Sequence, residues 1–316
     1  MGLDIGSSAL KAVRLRKKDG RLIAEQAGIA PMPGGAFSRG IFLDPPAVSE
    51  CIRKFWRDQR LSGDRVAVGV AGEDVIHTRQ RLTRADDESL RAQVREQTAR
   101  LIPFPLEQAN LDFQILDNFS VARWVEALVV AVKREKVERL RDVLERAGKT
   151  PVIVDSTAYA LANAFQTSYE PLLSEIAVLV HLGTGTMTVV IVRGSTPILA
   201  QDFSLVQAQF SEEEYSLTDR IAVQLERMFE RMDEIADERP LEPRSRQIAR
   251  LLISGGGARL PGLEKMLRTR VKLPFEELNP FRKIEFRSVD ALGRLVLEYM
   301  PSMTVAVGLA MRGLES

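Results

Sequence analysis

The chain is poor in the residues that build most metal and redox centres. It holds one cysteine, Cys51, and two histidines, His77 and His181. A single cysteine excludes an intrachain disulfide and a cysteine-rich metal site. Two histidines are a poor basis for a zinc enzyme. Long apolar runs are missing as well. Ile176–Leu182 is among the longest, far short of the roughly 20 residues a membrane helix needs, and the start lacks a signal-peptide pattern. Nor does one sign of charge prevail: 44 Lys and Arg against 43 Asp and Glu leave +1, so nothing points to nucleic acid or to direct binding of an anionic membrane. The expectation is a soluble cytoplasmic protein. At 316 residues it exceeds the usual limit of a single core, which predicts two or more lobes.

What the chain has is one glycine-and-hydroxyl turn twice. Gly2-Leu-Asp4-Ile-Gly6-Ser7-Ser8-Ala-Leu-Lys11 opens the sequence, and Val180-His181-Leu-Gly183-Thr184-Gly185-Thr186-Met-Thr188 repeats its shape. Each reads as a β-hairpin, with an apolar strand, a tight turn and a β-branched return. Small residues let backbone N–H groups approach an anion, and the hydroxyls add donors, so both turns suit phosphate. A third apolar strand runs into Ser254-Gly255-Gly256-Gly257-Ala-Arg259-Leu-Pro261. Three such turns suggest two similar halves closing on one nucleotide.

Periodicity predicts a helix over Pro46–Leu61 with Val48, Ile52, Phe55 and Trp56 on one core-facing stripe. A charged helix is expected over Asp86–Leu101, ending at Ile102-Pro-Phe104-Pro. Strands follow at Leu111–Leu116 and Val125–Val132, then a helix over Arg134–Ala147 closed by Gly148. Strand Pro151–Asp155 and the small-residue helix Ala158–Phe165 return to the first lobe. The second lobe starts at Ile176 and carries a helix over Ser216–Arg231, a polar stretch at Asp237–Ser245 and a last helix over Met303–Arg312. The mixture of strands and helices predicts mixed sheets flanked by helices.

At its three turns the chain resembles the actin-like ATPase superfamily, which includes actin, sugar kinases, heat-shock chaperones and bacterial FtsA. Asp4-x-Gly6-x-x-x-x-Lys11 is similar to the first phosphate motif, His181-Leu-Gly183-Thr-Gly-Thr186 to the second, and the Ser254–Pro261 segment to the adenosine motif. Asp155-Ser-Thr-Ala158-Tyr-Ala160 and Thr304-Val-Ala306-Val-Gly308-Leu-Ala310 stand where the two interdomain connections would lie. Within the superfamily the chain is most similar to the PilM family of cytoplasmic type IV pilus assembly proteins. The likeness is closest in the opening residues, in Gln97–Asn110 with its Ile102-Pro-Phe-Pro-Leu106-Glu107, and in the ending Ala306–Arg312. In the Glu212–Gln247 region only helical character is recognisable.

The resemblance implies an α/β fold of the actin-like ATPase type, with two lobes of mixed sheet flanked by helices and an inserted α+β subdomain. Residues 1–72 and 149–175 would form the first lobe with the C-terminal helix 302–316, residues 73–148 the inserted subdomain, and residues 176–301 the second lobe. It also implies ATP or ADP with Mg²⁺ in the cleft. Gly6, Ser7, Ser8 and Lys11 would hold the phosphates together with Gly183, Thr184, Gly185 and Thr186. Gly255, Gly256, Gly257 and Arg259 would face the adenosine. Asp4 suits Mg²⁺ held through water, because that ion prefers few carboxylates and retains its waters. Asp155 matches the position of a carboxylate that orients the attacking water; as an Asp before a helix it serves equally as an N-cap.

The second motif departs from the pattern, with His181 where an Asp is expected. An imidazole cannot replace a carboxylate beside phosphates and magnesium, so the expectation is nucleotide binding with slow or absent hydrolysis, at most a slow ATPase. His181 also suits a plain strand-end position. As partners the family likeness implies the N-terminal cytoplasmic peptide of a PilN-like membrane protein, in a groove of the inserted subdomain and first lobe, and other pilus assembly components. Val75, Ile76, Leu82, Ile102, Phe104 and Leu106, beside Arg79, Arg81, Arg84 and Arg91, are either groove residues or subdomain core. The expected location is cytoplasmic, peripheral to the inner membrane through a partner, with homo-oligomers open. A sugar-kinase-like phosphotransferase and an FtsA-like filament protein are the alternatives. No Asp/Asn-rich loop suits a sugar pocket, which favours the assembly role.

Overall fold

The repeated turn closes alike both times. The computed structural model describes residues 1–116, 123–205, 216–238, 247–287 and 296–315. Strand β1 (Gly2–Ile5) returns as β2 (Ala9–Lys18), with Gly6 N–H donating to Ala9 O at 3.1 Å and Asp4 opposite Lys11. Further on, the second hairpin has Gly183 N–H donating to Thr186 O at 2.8 Å and His181 opposite Thr188. The two turns therefore align residue for residue, and His181 occupies the position of Asp4.

After β2 the chain continues through β3 (Arg21–Pro31) and the short pair β4 (Phe37–Ser38) and β5 (Ile41–Phe42). Helix α1 (Pro45–Asp58) starts where Asp44 accepts from Ala47 N–H, with prolines in its first turn, and buries Val48, Ile52, Phe55 and Trp56 as the stripe predicts. Next come β6 (Arg65–Val70), β7 (Val75–Thr83), α2 (Asp87–Ala99), β8 (Ala109–Leu116), β9 (Trp124–Lys133) and α3 (Arg134–Arg146). Then β10 (Thr150–Ser156) leads into α4 (Thr157–Tyr169), followed by β11 (Ile176–Leu182), β12 (Thr186–Arg193), β13 (Thr196–Ser204) and α5 (Leu217–Glu238). The chain closes with β14 (Ile248–Ser254), α6 (Leu263–Met266), β15 (Phe275–Glu277), β16 (Ile284–Phe286) and α7 (Thr304–Glu315).

Three of the sheets organise these elements. A six-stranded sheet runs β10-β6-β1-β2-β3-β16, a five-stranded sheet β13-β12-β11-β14-β15, and a three-stranded sheet β7-β9-β8. In the five-stranded sheet β11 is buried on both faces. Val178 and Val180 pack toward α5, and Ala177 and Leu179 toward α4, which explains its unbroken apolar run.

Several expectations need correcting. Residues 284–286 were placed in the second lobe, yet they pair in parallel with β3 at the edge of the six-stranded sheet. Helix α5 runs to Glu238, past Arg231, and α4 runs to Tyr169, past Phe165, until Glu170 takes a left-handed conformation at φ 45°. Of the polar stretch Asp237–Ser245, residues 239–245 lie outside the described residues.

Helices α4 and α7 cross against each other beneath the sheets, with Gly308 facing the Ala160 carbonyl. Gly2 meets the same last helix: a Cβ there would lie 2.2 Å from Ala306 O. Backbones approach this closely only where no side chain intervenes.

Candidate functional site

Between the two larger sheets lies a cavity of about 430 Å³ into which both repeated turns project. Asp4, Gly6, Ser7, Ser8 and Lys11 line it from the first turn, and His181, Gly183, Thr184, Thr186 and Thr188 from the second. Gly256 enters from the third turn, and a Cβ on it would meet open space. The sheet register places these groups here, because both hairpins sit inside their sheets and point the same end into the cleft.

Lys11 donates to Asp4 Oδ2 at 2.9 Å, and both side chains are largely buried. This pair was predicted as two separate ligands. A lysine and a carboxylate already paired at a phosphate turn can exchange each other for a phosphate and a hydrated cation. Among the described residues no group of three or more His, Cys, Asp or Glu is arranged to hold a metal. Any cation here rests on Asp4, water and the phosphates of its ligand, which is the coordination Mg²⁺ favours. The cleft therefore fits a nucleotide with Mg²⁺: paired charge at the phosphate turn, hydroxyl donors, and a glycine leaving room at the third turn.

Other predicted ligands do not reach the cavity. Gly185 does not line it; its carbonyl accepts from Leu205 N–H at 2.9 Å. Gly255, at φ 87°, and Gly257 press on the end of β11: a Cβ on Gly255 would lie 2.3 Å from Leu182 O, and one on Gly257 2.7 Å from Leu182 Cβ. They let the third turn pack under the second one. Arg259 lies outside too. Its guanidinium donates to Glu298 O at 2.8 Å and sits over Tyr299, whose ring lines the cavity, so it acts by holding a wall in place.

Asp155 is displaced furthest from its expected role. It does not line this cavity; it sits in a second one, where Arg312 of α7 donates to its Oδ2 at 3.1 Å. Burial raises its pKa, with Arg312 opposing. Its carboxylate meets Arg312 and no residue of the two turns, so this placement gives the water-orienting role no support. The N-cap of α4 is not Asp155 either but Ser156, whose hydroxyl accepts from Ala158 N–H.

His181 lies where the second carboxylate was expected, with Nδ1 3.0 Å from Ser254 Oγ. Burial pushes its pKa down to about 4, a shift that Asp4 opposes, so it stands neutral in the cleft. A buried carboxylate that sequence reasoning missed is Asp202 on β13, bonded to the cleft-lining Thr188. Its Oδ1 accepts from Thr188 Oγ1 at 2.5 Å and its Oδ2 from Gly72 N–H at 2.8 Å, joining β13 to the chain just after β6. Burial raises Asp202 to about 6. No spacing in the sequence links residue 202 to either turn; only the β12–β13 register, which pairs Thr188 with Asp202, brings it in.

Burial also lowers His77 to about 4. Both histidines thus resist protonation in the folded state while an unfolded chain takes up protons near pH 6.5. Stability therefore falls with acidification between about pH 6.5 and 5.5, while Asp202, protonated more readily when folded, opposes it. Two histidines against one carboxylate leave a net difference of about one proton, a loss of up to about 1.4 kcal/mol per pH unit. Denaturant melts of His77→Gln across this window should come out nearly flat, whereas wild type should slope.

The paired turns, the cleft between two sheets and the crossing helices define the class: this is a protein of the actin-like ATPase fold, a fold built around a nucleotide cleft. The family described as type IV pilus assembly protein PilM matches residues 2–223 and 242–314. The chain belongs to the PilM family. Among solved structures, the PilM–PilN type IV pilus biogenesis complex aligns over 100% of this chain and 98% of the other, at 25% identity and a TM-score of 0.78. The cytoplasmic domain of EpsL, an inner-membrane component of the type II secretion system of Vibrio cholerae, aligns over 99% and 94%, at 13% identity and a TM-score of 0.49. A Bacteroides thetaiotaomicron protein with an actin-like ATPase fold and unknown function aligns over 88% and 90%, at 10% identity and a TM-score of 0.48.

Proposed function

We propose that this type IV pilus assembly protein docks the N-terminal cytoplasmic tail of a PilN-like inner-membrane protein and binds ATP or ADP with Mg²⁺ in its cleft, with slow hydrolysis or none. The observation that carries the docking reading is the second cavity, about 400 Å³, between the three-stranded sheet and β10. Its walls include β8 and β10, each the edge strand of its own sheet. Unpaired edges offer main-chain hydrogen bonds to an extended peptide, and side-chain pockets between them select its residues. Val130, Val132, Val154 and Tyr159 supply apolar surface, and the Asp155–Arg312 pair sets a polar end.

Of the apolar residues read as groove or subdomain core, those at 102–106 favour the core reading. Ile102 is buried, and Phe104 and Leu106 pack with it against Ala109 and Ala131, so they belong to the subdomain core. Val75 and Leu82 are core as well. Arg79 is paired with Glu126, and Arg91 with Asp87.

Among the described residues no helix is long and apolar enough to cross a membrane. In this reading a location at the inner membrane comes from the docked partner, and other pilus components would gather on the same platform. A titration of full-length protein with the partner's N-terminal peptide tests it. Val154→Asp, which puts a charge on an exposed groove position, should weaken binding by about 1–3 kcal/mol. Undiminished affinity in that variant would move the peptide elsewhere.

Slow turnover follows from the neutral His181. We expect hydrolysis well below the roughly 1–1000 per second of typical enzymes, and His181→Asp should raise it. A wild-type rate within that range, lost in Asp4→Ala, would overturn the expectation. The sugar-kinase alternative is disfavoured by the part of the cleft wall made by Ile29, Phe37, Phe42 and Leu140, which offers a sugar apolar contacts.

A further inference from the structure

Besides Lys11 the cleft is lined by a second buried cation, Lys136, on the first turn of α3. Its side chain is 8% exposed, yet its ammonium is poorly matched. Of three possible hydrogen bonds it makes one, to Ala71 O at 2.8 Å. The nearest carboxylate, Asp74, is 4.0 Å away and itself substantially exposed to solvent. Asp202 exerts an attraction, but its oxygens are engaged by Thr188 and Gly72. A buried ammonium left this incompletely compensated is costly unless an anion completes it.

Two glycines in left-handed conformations border this group. A Cβ on Gly40 (φ 76°) would first meet Ala71 O, at 2.4 Å, and one on Gly72 (φ 110°) Arg39 O, at 3.0 Å, with Lys136 Nζ next at 3.0 and 3.2 Å. The same cavity holds Ser7, Ser8 and Lys11 of the first turn and Thr184 of the second.

We propose that Lys136 is a ligand for the terminal phosphate of a bound nucleoside triphosphate, contributed to the cleft by the helix that follows the three-stranded sheet. This rests on the reading of the cleft as an ATP site. Lys11 serves the first turn and is paired with Asp4, whereas Lys136 lines the same cavity from α3 beside Phe42 and Leu140 with no carboxylate closer than 4.0 Å, so the extra charge of a triphosphate is what would meet it. It therefore discriminates a triphosphate from a diphosphate, which the shared turns alone do not. Burial lowers the Lys136 pKa while Asp74, Asp202 and Glu73 oppose the shift, consistent with an ammonium short of counter-charge.

The test is calorimetry of the full chain with ATP–Mg²⁺, ADP–Mg²⁺ and inorganic phosphate, for wild type, Lys136→Met and Lys136→Gln, each checked for cooperative melting. The expected result is an ATP affinity reduced about tenfold or more, as loss of a charge-assisted contact implies, with ADP affinity changed less than about twofold. Either folded variant suffices for the comparison. Equal losses for both nucleotides, or none, would overturn the proposal, since a purely structural lysine has no reason to distinguish them. Inorganic phosphate bound through Lys136 with ATP affinity untouched would also overturn it, assigning the anion to a separate free phosphate. If wild type binds neither nucleotide, the ATP reading itself fails, and that outcome is separable from the others.

Discussion

Lys11→Ala and Asp4→Ala should each weaken nucleotide binding by about 1–3 kcal/mol, roughly five- to 150-fold, the range for losing a charge-assisted contact. The two losses arise differently. Removing Lys11 leaves the Asp4 carboxylate, now without its 2.9 Å partner, facing the phosphates of the ligand. Removing Asp4 deletes the one carboxylate of the phosphate turn that could hold a hydrated cation. Because the groups touch, the double variant should lose less than the sum of the single ones. Calorimetry with ATP–Mg²⁺ reads all three, and additive losses would show that the pair does not act as a unit in the bound state.

Gly308→Ala should be the most destabilising single methyl in the described structure. The added Cβ would stand 1.8 Å from the Ala160 carbonyl oxygen, and the clash is with backbone, so no side chain can rotate away. Helices α4 and α7 must separate, opening a contact that buries Ala160, Val305 and Leu309. We expect a cost of at least about 3 kcal/mol, at the upper end of single substitutions, read as a large drop in melting temperature or as loss of soluble protein. Gly34→Ala is the control: a Cβ there meets nothing, and it should be near neutral. Equal stability of the two variants would mean that the helices are not packed backbone to backbone.

The two hairpin turns were legible in the sequence because their function is local. A four-residue turn between two apolar strands needs its small and hydroxyl residues side by side, and sequence spacing reports that directly. The α1 stripe was legible for a similar reason, since helical periodicity displays its buried face. Asp155 was misjudged because its position along the chain says that it ends a strand, while its role depends on which face of β10 it takes and on Arg312, 157 residues away. In the third turn Gly255 and Gly257 serve a close approach to Leu182, while Gly256 leaves room at the cleft. Lys136 and Asp202 carried no signal at all. One sits in a helix crowded with charge, the other near the end of an apolar strand, and only the packing of the sheets brings Lys136 to the cleft and Asp202 against Thr188 of its wall.

The central claim is that the chain is a docking protein whose groove lies between two free sheet edges. Hydrogen exchange of the full chain, with and without the N-terminal peptide of its PilN-like partner, tests it most directly. The account predicts slowed exchange in β8 (Ala109–Leu116) and β10 (Thr150–Ser156), where edge amides gain a strand partner. Exchange unchanged in both strands at saturating peptide would contradict it.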